Sequence, residues 1–130
     1  MNRRIAQVVL LVRDYDEAIA WYSRAFGFVL IEDTDLGGGK RWVRMAPEIG
    51  AEFALLLAKA ANPQQLAHVG DQHGGRVGFF LHTDDFARDH ARLSAAGAHF
   101  EESPRHEPFG TVVVLRDLYG NRWDLIEPRA

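Results

Sequence analysis

Apolar and polar positions along the chain switch period several times, and the switches follow one order twice. From Ile5 to Val12 the chain is a dense, valine-rich apolar run interrupted by Gln7, which predicts a strand covered on both faces. Asp14 then offers a helix N-cap with Glu17 three residues on, and Tyr15, Ile19, Tyr22 and Phe26 follow at helical spacing before Gly27 closes the helix. Phe28 to Thr34 reads as a second strand, Leu36-Gly37-Gly38-Gly39 as a turn, Arg41 to Met45 as a third strand, and Glu52 to Ala58 as a fourth. The first half therefore predicts β-α-β-β-β.

From Lys59 to Gly75 the periodicity is lost, and Asn62-Pro63, Gly70 and Gly74-Gly75 mark a connector. The pattern then restarts. Arg76 to His82 predicts a strand, Asp84-Asp85-Phe86 starts a helix that carries His90 and Leu93 and ends at Gly97, and strands follow at His99 to Glu102, Gly110 to Arg116 and Arg122 to Glu127. A shift of 71 sets Gln7 on Gly78, Asp14 on Asp85 and Tyr15 on Phe86, and a shift of 68 sets Leu55 to Leu57 on Trp123 to Leu125. Two copies of one βαβββ unit, about residues 5–58 and 76–127, within a single domain of 130 residues account for the repeat.

Composition narrows the partners. Hydrophobic residues make up 47% and charged residues 25%, as in a soluble globular protein, and a length of 130 residues is enough for a core without staples. The net charge is −3 with scattered basic residues, so neither nucleic acid nor a membrane surface is an expected partner. With no cysteine there is no thiolate nucleophile and no sulfur-ligated zinc. The apolar run after Met1-Asn2-Arg3-Arg4 is too short for a signal core, which points to the cytoplasm. No phosphate loop or dinucleotide fingerprint is present, so no nucleotide cofactor is expected.

The stretch with the most candidate chemistry is Arg116-Asp117-Leu118-Tyr119-Gly120-Asn121-Arg122-Trp123-Asp124-Leu125-Ile126-Glu127, a predicted hairpin. Alternation puts Asp124 on the face away from Trp123 and Leu125. A carboxylate there either sits at a wet edge, paired with Arg122 or Arg44, or looks into a pocket where it meets a metal or a substrate.

This duplicated unit, with its Val12-Arg13-Asp14-Tyr15 passage, its Leu81-His82-Thr83-Asp84-Asp85-Phe86 passage and that C-terminal hairpin, resembles the glyoxalase, bleomycin-resistance and extradiol-dioxygenase (vicinal oxygen chelate) superfamily from Gln7 through Glu127. The resemblance implies an α+β fold whose two repeats form a half-open, barrel-like cleft, and a homodimer. It also implies four metal-ligand positions, here Gln7, Leu56, Gly78 and Asp124. Leu56 and Gly78 offer no donor, so no metal and no cofactor are expected. His82 lies about 13 Å along its strand from Gly78 by strand rise, and Arg105-His106-Glu107 forms a polar turn with further donors.

Strand parity directs Gln7, Val9, Leu11, Ala54, Leu56, Gly78, Phe80, His82, Arg122 and Asp124 into the cavity, and Trp42 offers a flat stacking surface. The binding set is therefore Gln7, Leu11, Trp42, Leu56, Phe80, His82, Arg122 and Asp124, mostly apolar with a few polar groups, as in small-molecule sites. The leading expectation is a protein that binds a small, partly aromatic organic molecule without metal. The alternatives are a lyase, isomerase or dioxygenase with a displaced metal on Gln7, Asp124 and His82, and a dimer with a vestigial cavity.

Overall fold

A computed structural model describes residues 2–130. The elements run β1 (Gln7–Val12), α1 (Tyr15–Ala25), β2 (Val29–Gly37), β3 (Lys40–Ala46), β4 (Ala54–Lys59), α2 (Pro63–His68), β5 (Val77–His82), α3 (Phe86–Ala95), β6 (His99–Phe100), β7 (Arg105–Glu107), β8 (Gly110–Arg116) and β9 (Arg122–Pro128). The chain divides into two compact units, one through His68 and the other Val69–Ala130. The class is α+β, and the two sheets share one permutation, β1-β4-β3-β2 in the first unit and β5-β9-β8-β6 in the second.

In the first unit, Asp14 caps α1 in an extended conformation and its carboxylate accepts the Glu17 N–H at 2.8 Å. Gly27 leaves the helix at φ 69°, a left-handed value that a side chain would resist. Tyr15, Ala18, Trp21, Tyr22 and Ala25 form the buried stripe of α1. Leu10, Val12, Val43, Met45, Leu55 and Leu57 of the sheet are buried with them. Tyr22 stacks on Phe26 and Phe28 at centroid distances of 5.6 and 6.0 Å, with Trp21 edge-on to Tyr22 at 5.1 Å. Truncating Tyr22 would cost about 3–5 kcal/mol, as for other large buried aromatics.

The first strand differs from its expectation. Among the described residues β1 pairs with β4 alone, as an edge strand, and leaves Val8 and Val9 exposed. The connector also differs, because residues 63–68 form a helical turn. Asn62 caps it through the Gln65 N–H at 2.8 Å, with Pro63 at the first helical position, where its missing N–H costs nothing.

In the second unit, Asp85 caps α3 through the Arg88 N–H at 3.0 Å. Phe79 and Trp123 stack at 4.6 Å in a core with Leu93, Val113, Leu115 and Leu125. His90 of α3 is half-buried and stacked on Phe100 at 4.3 Å. The strand expected at His99 to Glu102 is broken. β6 and β7 pair with β8 in registers two residues apart, around Ser103-Pro104. Proline supplies no N–H to a ladder, and in the gap the Glu102 carboxylate accepts the Val114 N–H at 2.9 Å. Arg105-His106-Glu107 is therefore strand β7, not a polar turn.

The hairpin turn between β8 and β9 is tied by one buried carboxylate. Asp117 accepts from the backbone of Tyr119, Gly120 and Asn121, from the Asn121 amide and from Trp123 Nε1, all at 2.9 to 3.1 Å. The Tyr119 carbonyl lies so close to Gly70 that a Cβ there would sit 1.9 Å from its oxygen. Only glycine lets this chain segment approach the turn.

Candidate functional site

In the first unit, strand register decides which side chains share a face. β3 sets Arg44 beside Leu56 of β4, and β1 sets Val9 beside Leu56 and Leu11 beside Ala58. By alternation, Gln7, Leu11, Trp42, Arg44 and Leu56 occupy the face opposite Val43, Leu57 and the α1 core. The orientation of Trp42, open in the sequence, follows from its place two residues from Arg44.

Arg44 governs the polar part of this face. Its Nε donates to Gln7 Oε1 at 3.0 Å and its Nη1 lies 3.5 Å from Glu32 Oε1, which also accepts from Trp42 Nε1 at 3.1 Å. Gln7 therefore holds a guanidinium through the oxygen that a cation would need. A fixed cation at this spot repels metal, and Leu56 beside it has nothing to coordinate with. The first unit's half of the metal set does not fit an ion.

The same unit carries an open groove of about 600 Å³, bordered by Tyr15, Leu36, Trp42, Leu56, Ala58, Lys59 and Gln65 among others. It arises where two strands part. β3 pairs with β4 only at Val43, Arg44 and Met45, so Trp42 and Ala58, the next pair in register, are outside the ladder. The Tyr15 hydroxyl reaches in from α1 and accepts the Arg41 N–H at 3.2 Å. Arg41 itself is held by Asp33 at 2.7 Å and Asp16 at 2.9 Å, over the Tyr15 ring. The hydrogen bond from Arg41 keeps the Asp33 carboxyl below the usual range.

In the second unit, Phe80 of β5 and Val114 of β8 flank Asp124, and His82 flanks Ile126 one row on. Asp124 is not a hydrogen-bond partner of Arg122 among the described residues. Arg122 donates to Glu101 at 2.8 Å and to the Gly75 carbonyl at 3.0 Å, and Arg44 is engaged as described. Asp124 Oδ1 is buried and has no hydrogen-bond partner among the described residues. Burial raises its carboxyl above the usual range, Glu102 adds to the rise, and Arg105 and Arg122 oppose it. Phe80 beside it is 60% exposed, a flat apolar surface next to a reluctant acid.

Gly78 departs from the expected parity. The register shifts between Val77 and Phe79, so Gly78 falls in a bulge, and a Cβ built on it would lie 2.2 Å from His73 Nδ1. The imidazole fills the space of the missing side chain and packs edge-on against Phe79 at 4.9 Å. The other donors are also committed or distant. Arg105 bridges Glu102 and Glu107 at 2.8 and 2.9 Å, while His82 borders a separate groove with Thr83, Thr111 and Glu127. No group of three or more His, Cys, Asp or Glu able to hold a metal exists among the described residues. The second unit's half does not fit an ion either.

The structure thus gathers Trp42 and Leu56 on one groove, joins Gln7 to Arg44, and sets Phe80 beside Asp124. Arg122 and His82 border other cavities of the second unit. Sequence reasoning missed Arg44 as the partner of Gln7.

Two copies of one open βαβββ sheet, each with a helix on its core face and mixed polar and apolar side chains on the other, define a glyoxalase-like fold. The chain belongs to the Glyoxalase/Bleomycin resistance protein/Dioxygenase superfamily, whose family model matches residues 4–125. An uncharacterized protein of Shewanella frigidimarina is 46% identical over 128 residues, 98% of this chain and 95% of its own length. Among solved structures, UcmS2 matches with a TM-score of 0.81 and 32% identity over 98% of this chain and 99% of its own. TnmS3, an antibiotic binding protein from Streptomyces sp. CB03234, matches with a TM-score of 0.77 and 29% identity over 98% of both chains. Among the described residues no helix is long and apolar enough to cross a membrane.

Proposed function

We propose that this chain binds a small, partly aromatic organic molecule without a metal ion, and that it does so as a homodimer. The observation that carries this reading is the bond from Arg44 to Gln7, which puts a guanidinium where a metal-dependent relative would need a donor. The antibiotic-binding likeness of TnmS3 supports the ligand class. In the second unit, recognition rests on the exposed ring of Phe80 for stacking and on Asp124 for a hydrogen bond; in the first, the indole of Trp42 offers a stacking surface of its own. A protonated Asp124 donates to a ligand carbonyl, and an ionised one accepts from a ligand N–H or ammonium. Edge strand β2, exposed along its length and carrying Leu30, Ile31 and Leu36, supplies apolar surface of the kind a second copy would cover.

Two measurements test it. Protein purified without added metal is expected to hold well under one equivalent of iron, manganese, nickel or zinc by elemental analysis. A thermal-shift screen of aromatic antibiotics is expected to give a ligand, confirmed by calorimetry in the presence of chelator. Stoichiometric metal, or binding abolished by chelator, overturns the reading in favour of a metal-dependent enzyme. Light scattering that gives the mass of one chain overturns the dimer.

A further inference from the structure

Tyr15 is a phenol with half of its hydrogen-bonding capacity in use. The residue is 6% exposed, and its hydroxyl oxygen accepts the Arg41 backbone N–H at 3.2 Å. The hydroxyl makes no other hydrogen bond among the described residues, so its own hydrogen has no acceptor there. A buried tyrosine O–H ordinarily finds a partner.

The hydroxyl is placed by the backbone it bonds, not by strand alternation. A strand N–H points sideways, within the plane of the sheet, so an oxygen bonded to it stands between strands and not over one face. Arg41 is two residues beyond Val43, the last residue of β3 paired with β4 among the described residues. Beyond that pair the strands part, and Tyr15 borders the resulting groove of about 600 Å³ with Leu36, Arg41, Ala58 and Ala60. That volume is within the usual range for a small organic ligand.

The ring is also held in place. The Arg41 guanidinium lies 5.1 Å from its centroid and is itself tied to Asp16 at 2.9 Å and Asp33 at 2.7 Å. A phenol fixed in this way has little freedom left to lose when a guest arrives. Its O–H is strengthened as a donor, because linked hydrogen bonds polarise one another and the Arg41 N–H already draws on the oxygen.

We propose that Tyr15 is a specificity-determining binding residue whose hydroxyl donates to the carbonyl oxygen of a ring ligand, a ketone, quinone or lactone, lodged in the groove where β3 leaves β4. This deepens the small-molecule reading and rests on it. It selects, among ring molecules, those with an uncharged oxygen acceptor over those whose only polar group is a donor.

The test uses 1-tetralone and tetralin, the same ring system without the carbonyl, each titrated into the isotope-labelled full chain and followed by NMR. Tyr15→Phe is expected to weaken 1-tetralone about fivefold, the scale of one neutral hydrogen bond, and to leave tetralin within about twofold. In the parent chain 1-tetralone, and not tetralin, should move the Arg41 amide proton downfield, since the phenol oxygen accepts more strongly once its hydrogen is engaged. This second readout needs no variant and stands even if thermal melting shows that Tyr15→Phe folds poorly. An equal loss for both probes, no loss for either, or an Arg41 amide unmoved by 1-tetralone overturns the subsite. A loss of 1-tetralone affinity in Asp124→Asn but not in Tyr15→Phe assigns the carbonyl to the second unit, which overturns the subsite and leaves small-molecule binding standing. Absence of binding by both probes also overturns the subsite, and the antibiotic screen above then decides the broader reading on its own.

Discussion

Arg44 Nε and Gln7 Oε1 are joined at 3.0 Å across the sheet of the first unit, from β3 to the edge strand β1. The bond spans β4, which lies between them in the sheet. It both occupies the amide oxygen and anchors an edge strand that, among the described residues, pairs with β4 alone.

A double-mutant cycle measures that link. Arg44→Met and Gln7→Leu are each expected to destabilise the chain by about 1 kcal/mol, the usual scale for a half-buried hydrogen bond to a charged group after solvent screening. The two losses should not add, leaving a coupling of about 1 kcal/mol in urea unfolding. Additive losses would mean the contact contributes nothing in solution.

Asp117→Asn should be among the most damaging conservative changes in the chain. One of its oxygens accepts three backbone N–H groups and the other accepts from Asn121 and Trp123, so an amide nitrogen in either place faces donors with a donor. The expected loss is on the order of 3 kcal/mol. Chemical denaturation followed by tryptophan fluorescence reads it, and a loss near zero would refute the buried network.

The Asp124 carboxyl gives a pH signature. Burial raises its folded value above its unfolded one, so the folded chain holds the proton more tightly, and stability falls as pH rises through the window between the two values. Below that window the penalty is absent, and above it the penalty is complete. Asp124→Asn, which cannot ionise, should therefore melt higher than the parent at neutral pH, with the gap closing below about pH 4, the ordinary carboxylate range. A variant less stable than the parent at neutral pH would show that the carboxylate has a partner in solution.

Gly78→Ala brings a methyl group into the place of the His73 ring. Overpacking of this kind costs about 1–3 kcal/mol. The cost should drop sharply in a His73→Ala background, where the space is free. Equal costs in both backgrounds, measured by urea unfolding, would show that the ring already lies elsewhere.

The duplication was legible because the helix caps and apolar strand runs repeat at nearly fixed offsets, and Asp14 and Asp85 do cap equivalent helices. What was not legible depends on contacts distant in sequence. The bulge at Gly78 takes that one residue out of the alternation counted along β5, while Phe80 and His82 beyond it keep their register with Asp124 and Ile126. β7 was hidden because a polar Arg-His-Glu run flanked by prolines reads as a turn, and only its pairing with β8 makes it a strand. The helical turn at Pro63–His68 is too short to show a period. For the candidate site, the resemblance pointed to Gln7 and Asp124, but the guanidinium 37 positions from Gln7 could be assigned to it only in three dimensions.

The segment that most readily betrays ancestry, from Asp117 to Trp123, works as a fastener: its acid, amide and indole knot one corner of the sheet. A fastener suits any cargo equally, so kinship read from it transmits architecture and says nothing of chemistry. Side chains elsewhere can change without loosening the knot.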